Sequence, residues 1–380
     1  MKQLLAIALL STLAMTASAA SAATATLLRG SERTSVGAIR TIELANDRGM
    51  RVRLLTLGAT VQSIVVPDRA GQKANVVLGY TKAADYLVGT SYFGATIGRY
   101  ANRVAGARFT LDGRSYPLAK NDRNNSLHGG TTGFDKRIWT VERVTGGARA
   151  RATLAYVSPD GEEGYPGRLR VTATFTLDES NALRIDYRAT TDRATVVNMT
   201  NHSYFALGGE ASGAGVADQR LSIAADAYLP IGETLVPSGE RRRVAGTVFD
   251  LRQPRRVGNG LARRDDPQIA LASGYDHSFV LRGPAGTTPR PAARLHDPRT
   301  GRTLEVLTTA PALQLYTGNF LAPVKIGRRH KNNDALCLEA HAFPNALNQP
   351  GFPSTRLDPG QQYRNTIIYR FATLQPRADR

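Results

Sequence analysis

Apolar and polar residues alternate along most of the chain. The clearest case is the pair of segments 169–177 and 182–189, which flank the polar stretch Asp178-Glu179-Ser180-Asn181. Alternation of this kind predicts β-strands with one buried face, and the short polar connection predicts a hairpin. We expect further strands at the following positions: 51–54, 59–66, 151–157, 195–199, 221–225, 303–308 and 365–373.

Helical periodicity is scarce. Residues 81–87 predict one or two helical turns with Thr81 as a possible N-cap, whereas segments 257–264 and 282–290 are expected to be loops and the tail 375–380 to be frayed. Many short strands separated by Gly, Pro, Asn and Asp predict an all-β fold, namely a large antiparallel sandwich or barrel with few short helices.

The N-terminal segment has a different pattern. Lys2 precedes an apolar run at 4–13, and two Ala-Ser-Ala triplets that end by residue 22 offer cleavage sites. This arrangement predicts a secretory signal peptide at 1–22, followed by a single domain at 23–380. A transmembrane anchor needs roughly 20 apolar residues, and the run is too short. We therefore expect a periplasmic or secreted protein with no membrane insertion after cleavage.

Composition adds two constraints. Cys337 is the single cysteine, so no intramolecular disulfide can form even in an oxidising compartment. The net charge of +18 raises the possibility of nucleic-acid binding. The basic residues are scattered, however, with short clusters only at 241–243 and 328–331. We expect no nucleic-acid partner, and the charge favours solubility and attraction to anionic envelope surfaces.

Six segments interrupt the strand pattern with polar and aromatic residues. They are GRYANRVAG at 98–106, NDRNNSLHGG at 121–130, TNHSYF at 200–205, GYDHSFVL at 274–281, QLYTGNF at 314–320 and LCLEAH at 336–341. Gly129 and Gly130 allow close backbone approach. Glu339 emerges directly from an apolar run, where desolvation would raise its pKa towards the range of a general base, although a salt bridge is the alternative.

Three kinds of chemistry are compatible with these residue types. A metal site on one element would show closely spaced ligands such as His-Glu-x-x-His, and none is present. Serine hydrolysis would favour a Gly-x-Ser-x-Gly elbow, which is also missing, and Ser203 directly follows His202, so the two point to opposite faces of a strand. Recognition of a small polyhydroxylated molecule needs fixed amides, carboxylates, Arg and His beside aromatic surfaces, and the six segments contain them.

The segments also resemble a known family. In order, NRVAGARFTLDGRSYPLAKND, NSLHGGTTGFDKRIW, TNHSYFALGG, GYDHSFVL, LQLYTGNFL and LCLEAHAFPNALNQPGFPS are similar to the aldose 1-epimerase (galactose mutarotase) family, over roughly 37–372. The resemblance implies a large antiparallel β-sandwich, a single aldose 1-epimerase domain at 23–380, and interconversion of the α and β anomers of aldohexoses such as glucose and galactose. It implies no metal and no other cofactor.

The resemblance also implies roles for residues. Glu339 corresponds to the general base and His202 to the general acid. The sugar-contacting positions correspond to Asn102, Arg103, His128, Tyr204, Asp276 and Gln314. Ala310, Ala312 and the Ala340-His341-Ala342 stretch depart from the family pattern and bear on sugar preference. The expected partner is a small-molecule aldose, with the protein a monomer or homodimer. A non-catalytic periplasmic carbohydrate-binding protein on the same scaffold, or an enzyme for sugar phosphates or polysaccharides, is the alternative.

Overall fold

The computed structural model describes residues 22–321 and 330–375. Three antiparallel sheets carry most of this part of the chain. From edge to edge, the nine-stranded sheet contains Thr140–Thr145, Ala150–Ser158, Leu169–Leu177, Ala182–Thr191, Tyr363–Thr373, Arg302–Thr308, Arg290–His296, Arg220–Ile223 and Arg255–Arg256. The six-stranded sheet contains Tyr204–Phe205, Leu336–His341, Ala312–Tyr316, Asp276–Leu281, Ala225–Leu229 and Arg242–Arg243.

Smaller sheets complete the described strands. A five-stranded sheet is ordered Thr24–Leu27, Thr41–Ala45, Arg51–Leu55, Thr60–Pro67 and Lys73–Asn75. Five two-stranded pairs join Glu32–Thr34 to Gly37–Ile39, Thr96–Ile97 to Thr200–Asn201, Arg103–Val104 to Ser126–Leu127, Arg108–Leu111 to Arg114–Pro117, and Thr195–Val196 to Arg356–Leu357. The predicted all-β antiparallel architecture is confirmed.

The predicted hairpin is present. Leu169–Leu177 pairs with Ala182–Thr191 in continuous register, so that Leu177 lies opposite Leu183. Asn181 takes a left-handed φ of 58°, a conformation that Asn tolerates better than most residues. The Oδ1 atom of Asp178 accepts hydrogen bonds from the backbone of Ser180 and Ala182 and closes the turn.

The helices differ from the sequence-based expectation. The α-helices in the described ranges are Asp85–Val88, Val257–Leu261 and Pro267–Ala272, with 3-10 turns at Ala105–Ala107, Phe134–Lys136, Glu162–Gly164, Glu210–Ser212 and Ala346–Asn348. Thr81 does not cap the first helix, which begins after Ala84. The loop prediction for 257–264 is wrong, because tertiary packing overrides the low helix propensity of its glycines: Gly260 lies directly against the ring of Tyr275.

One strand prediction was too long. The segment 195–199 is extended only at Thr195–Val196, and pairing resumes at Thr200–Asn201. Between them the amide side chain of Asn198 donates to the carbonyl of Ala101, and its Oδ1 accepts from the backbone of Ala342. The backbone of this stretch pairs with other segments, because Val197 N–H donates to the carbonyl of Thr355 and Asn198 N–H to that of Arg99, so no single ladder continues through it.

The two larger sheets pack face to face. Phe205 of the six-stranded sheet contacts Tyr369 of the nine-stranded sheet, with ring centroids 4.9 Å apart. The main apolar cluster also includes Val52 and Val61 of the five-stranded sheet, so the three sheets share one core. None of the described helices has the length and hydropathy needed to cross a bilayer. The predicted signal peptide falls on residues 1–21, outside the described ranges, apart from Ala22.

Candidate functional site

A cavity of about 490 Å³ lies on the outer face of the six-stranded sheet. The alternation of each strand decides which side chains reach it. Along Leu336–His341, Leu336, Leu338 and Ala340 join the main core, whereas Glu339 points to the opposite face and lines the cavity. The predicted residues that line it are Asn102, Arg103, His128, His202, Tyr204, Asp276 and Glu339. Segments distant in sequence therefore converge on one site.

His202 and Glu339 face each other within this cavity. The Nε2 atom of His202 lies 3.7 Å from Oε1 of Glu339, and both side chains are almost completely buried. Burial penalises the charged forms, so it lowers the pKa of His202 to about 3 and raises the pKa of Glu339 well above its usual range. The other carboxylate oxygen, Oε2, is buried and receives no hydrogen bond from the described residues. The pair thus places an imidazole nitrogen and a carboxyl group side by side next to the cavity.

A charged network forms the neighbouring wall. The Nε atom of Arg103 donates to Asp122 at 2.7 Å, and its Nη1 lies 3.7 Å from Oδ2 of Asp276. Burial raises the pKa of Asp276, and Arg103 acts in the opposite direction. A guanidinium and a carboxylate fixed side by side can donate to and accept from adjacent hydroxyl groups of one ligand.

Gln314 lies behind this wall. It is buried, it is not among the cavity-lining residues, and its Nε2 donates to Oδ1 of Asp276 at 2.6 Å. In the sheet Gln314 is paired with Glu339 on the adjacent strand. The structure therefore places Gln314 where it can orient Asp276, and any direct contact of Gln314 with a sugar remains a prediction.

Two hydrogen bonds join Asn102 and His128, one between their backbones and one from the backbone of Asn102 to the ring of His128. The backbone N–H of His128 donates to the carbonyl of Asn102, and the N–H of Asn102 donates to Nδ1 of the His128 ring. Both residues have positive φ, 63° and 52°. Gly129 follows, and a Cβ there would lie 2.0 Å from the carbonyl oxygen of Gly98, which explains the requirement for glycine. With Nδ1 accepting, the neutral ring carries its proton on Nε2.

This tautomer bears on metal binding. Ligand atoms of His128, His202 and Glu339 lie within 4.8 Å of one another, so these three residues are the candidates for holding an ion. A neutral imidazole offers a metal one lone pair, and in His128 that lone pair already accepts from Asn102. The donor set therefore fits a metal poorly, although the three residues come together from distant segments.

Aromatic rings surround the imidazoles. Tyr204 stacks on His202 with centroids 5.0 Å apart, and Tyr92 contacts both His128 and His202. The sequence analysis assigned no role to Tyr80, Tyr92, Tyr316 and Phe320, all of which line the cavity, although Tyr316 and Phe320 lie in the segment singled out at 314–320. The signal for Tyr92 was the stretch GTSYFG at 89–94, which mixes hydroxyl and aromatic residues as TNHSYF does.

Other singled-out residues lie elsewhere. The ring of His277 points into the core and contacts Phe249, whereas its neighbour Asp276 lines the cavity. The hydroxyl of Ser203 donates to Asn201 rather than to His202. His341 is buried, and its Nδ1 lies 2.5 Å from the carbonyl of Ala342. None of the three lines the cavity.

The fold and the site together define a β-sandwich protein whose cavity gathers buried acid–base and hydrogen-bonding side chains. The sequence model of the family described as aldose 1-epimerase matches residues 40–370. Galactose mutarotase from Homo sapiens is 44% identical over 339 residues, which cover 88% of this chain and 95% of that protein. Aldose 1-epimerase from Escherichia coli (strain K12) is 38% identical, covering 87% of this chain and 95% of that protein.

The fold is also similar to that of a solved structure. Galactose 1-epimerase from Lactobacillus acidophilus NCFM superposes with a TM-score of 0.81 at 33% sequence identity, covering 93% of this chain and 99% of that one. The chain belongs to the aldose 1-epimerase family.

Proposed function

We propose that this protein is a mutarotase that interconverts the α and β anomers of aldohexoses such as galactose and glucose, with His202 and Glu339 as its acid–base pair. The observation that carries the proposal is the 3.7 Å approach of His202 Nε2 to Glu339 Oε1 inside one cavity. The ring oxygen and the anomeric oxygen of an aldose are bonded to the same carbon. An acid and a base that act on them must therefore both reach one small region of the cavity, and two groups 3.7 Å apart can do so.

The proposed reaction transfers two protons. Glu339 takes the proton of the anomeric hydroxyl while His202 gives a proton from Nε2 to the ring oxygen, and the bond between C1 and the ring oxygen breaks. Rotation about C1–C2 in the open aldehyde then presents the other face of the carbonyl. Closure reverses both transfers, so no net proton is consumed. Each placed proton transfer contributes roughly 10²–10⁴-fold to the rate.

The buried pair starts from the right number of protons. In the neutral pair the exchangeable proton is on Glu339, and in the ion pair it is on Nε2 of His202. The two forms therefore contain the same number of protons. Burial favours the neutral pair, and the positive charge of Arg103 lowers the pKa of Glu339 and so opposes that preference. The ion pair is the form from which ring opening begins.

The remaining polar residues anchor the sugar. Arg103, Asp276, Asn102 and His128 present donors and acceptors to its other hydroxyl groups, and Tyr204 flanks the imidazole of His202. Held in this way, the open-chain aldehyde stays oriented for closure. Gln314 supports the set through its hydrogen bond to Asp276.

Polarimetry tests the activity. Freshly dissolved α-D-galactose and α-D-glucose are followed to anomeric equilibrium with and without the purified protein, and sugar binding is measured calorimetrically in parallel. We expect the rate to rise in proportion to protein concentration. Binding with the rate unchanged from buffer would instead identify a carbohydrate-binding protein, and a response only to sugar phosphates or polysaccharides would identify a different enzyme.

The N-terminal segment is proposed to export the protein to the periplasm or the medium. Ala23 is buried and bridges to Gly147, and the first strand begins at Thr24, so cleavage after Ala22 would leave every described strand intact. Expression of the full chain in a bacterial host, followed by fractionation and N-terminal sequencing, tests this. We expect a periplasmic product that begins near residue 23, and an uncleaved cytoplasmic product would contradict export. Gel filtration of the same product distinguishes monomer from homodimer.

A further inference from the structure

The two ring nitrogens of His202 have different surroundings. Nε2 faces Glu339 and the cavity, whereas Nδ1 points away from it and lies 3.5 Å from Sγ of Cys337. A histidine that exchanges protons through one nitrogen depends on what holds the other, because that partner selects the tautomer and fixes the ring. The thiol therefore lies where it can select the tautomer of His202 and fix the orientation of its ring.

Strand pairing places the thiol there. Cys337 precedes Glu339 by two positions on the Leu336–His341 strand, so both side chains point to the same face. Cys337 lies opposite Tyr204 in the sheet. His202 stands two residues before Tyr204 in the chain. One strand thus presents the proposed base to the front of the imidazole and a sulfur atom to its rear.

The sulfur is held in an apolar environment. Cys337 is completely buried in a cluster with Leu55, Leu78 and Tyr204, and burial raises the pKa of its thiol well above the usual value. It therefore remains a neutral thiol, which is a weak donor and a weak acceptor. A carboxylate in this position would hold a proton on the ring strongly, whereas a thiol orients the ring without stabilising the imidazolium.

We propose that Cys337 is a positioning residue for His202. The Nδ1–H of His202 donates to the sulfur throughout the reaction, so Nε2 alone exchanges protons with the substrate. The inference rests on the proposed function for its catalytic meaning. In the protonated ring both nitrogens carry hydrogen. When Nε2 gives its proton to the ring oxygen, the Nδ1–H···S contact persists and leaves the Nε2 lone pair facing the substrate, ready to take the proton back.

Several titratable groups face His202 and enter any pH measurement. They are Glu339 at 3.7 Å, the rings of His128, Tyr92 and Tyr204, the thiol of Cys337, and His341, whose charge would lower the pKa of His202. Among the side chains of the described residues, the thiol of Cys337 contacts Nδ1, and a hydrogen bond to the backbone of His202 itself raises the pKa of the ring. Replacing the thiol should therefore change the tautomer without touching the groups around Nε2.

The first experiment needs no activity. Two-bond ¹H–¹⁵N correlation spectra of histidine-labelled protein at neutral pH report which nitrogen of His202 carries the proton, with His202→Asn used to assign the signal. We expect the Nδ1–H tautomer in the wild type and a mixture of tautomers in Cys337→Ala. A wild-type ring protonated on Nε2, or a Cys337→Ala spectrum identical to that of the wild type, would overturn the proposal whether or not the protein is a mutarotase.

The second experiment measures kcat and KM against pH. We expect Cys337→Ala to lower kcat by about 3- to 10-fold, the loss of one ordinary hydrogen bond, with KM unchanged. Cys337→Ser should restore most of kcat and shift the acid limb of the profile upwards, because a hydroxyl oxygen accepts from Nδ1–H more strongly than sulfur does. Equal loss in Cys337→Ala and Cys337→Ser would indicate a purely structural role and contradict the proposal.

A matched control lies on the same strand. Leu338 neighbours Cys337 but points into the main core on the other face of the sheet. We expect Leu338→Val to lower thermal stability while the His202 tautomer and the acid limb stay as in the wild type. A shift of either in Leu338→Val would mean that any repacking of this strand moves the imidazole, and the special role of the thiol would be refuted.

Discussion

Replacing Glu339 by glutamine tests the centre of the proposed mechanism. The amide keeps the size of the side chain but cannot accept the proton of the anomeric hydroxyl. A placed general base contributes roughly 10²–10⁴-fold, or about 2.7–5.4 kcal/mol of the barrier. We therefore expect kcat to fall by that factor. His202→Asn should lose a similar factor, and the double variant should lose little more than the worse single one, because the two groups act as a unit.

Folding should survive this change. Glu339 is buried, and its raised pKa means that the folded state binds its proton more tightly than the unfolded state does. The free energy of unfolding of the wild type therefore decreases as the pH rises above the usual value of 4.5, whereas glutamine does not ionise and causes no such decrease. We expect the melting temperature of Glu339→Gln to equal or exceed that of the wild type at neutral pH, with the gap closing below pH 4.5.

The assay is polarimetry on fresh α-D-galactose with the buffer rate subtracted, combined with thermal unfolding followed by circular dichroism. Glu305→Gln is the control: this glutamate is partly exposed on Arg302–Thr308 and pairs with Arg370 at 2.8 Å, an interaction worth less than about 1 kcal/mol. It should keep wild-type activity. If Glu339→Gln retained more than a tenth of the wild-type kcat while folded, the assignment of the base would be wrong.

Four further predictions follow from the same geometry. Arg103→Ala should raise KM by about 10- to 100-fold, as expected for the loss of hydrogen bonds to a charged group, and an unchanged KM would count against a contact with the sugar. Gln314→Leu should also raise KM, by less, because Asp276 loses a donor at 2.6 Å; a change confined to kcat would contradict its role as a support. The imidazole of His202 should give no inflection near pH 6.5 in the pH profile of kcat/KM, since burial lowers its pKa to about 3. A midpoint near 6.5 that persists in Glu339→Gln would show a solvent-exposed imidazole instead. Dialysis against a chelator should leave the rate unchanged, and recovery of lost activity by one added metal would revive the metal alternative.

The sequence by itself determined the class of fold. Alternation at 169–177 and 182–189 identified the hairpin, because a residue's side of a sheet depends only on its position along the strand. The same rule explains the position of Glu339: it interrupts the apolar run of LCLEAH, and in the structure its apolar neighbours enter the core while it faces the cavity. The ordered motifs were also sufficient to suggest the family that the comparisons show.

Other features required the tertiary structure. The helix at Val257–Leu261 exists because Gly260 packs against Tyr275, a contact between segments that local propensity cannot represent. Gln314 proved to lie behind Asp276, and Tyr92 to contact two imidazoles, because strand register and loop conformation decide which polar residues reach the cavity. The proximity of His128, His202 and Glu339, and the thiol behind His202, arise from contacts between distant parts of the chain. The position of a residue along its strand determines which face of the sheet it occupies, but only tertiary packing determines which residues it contacts there.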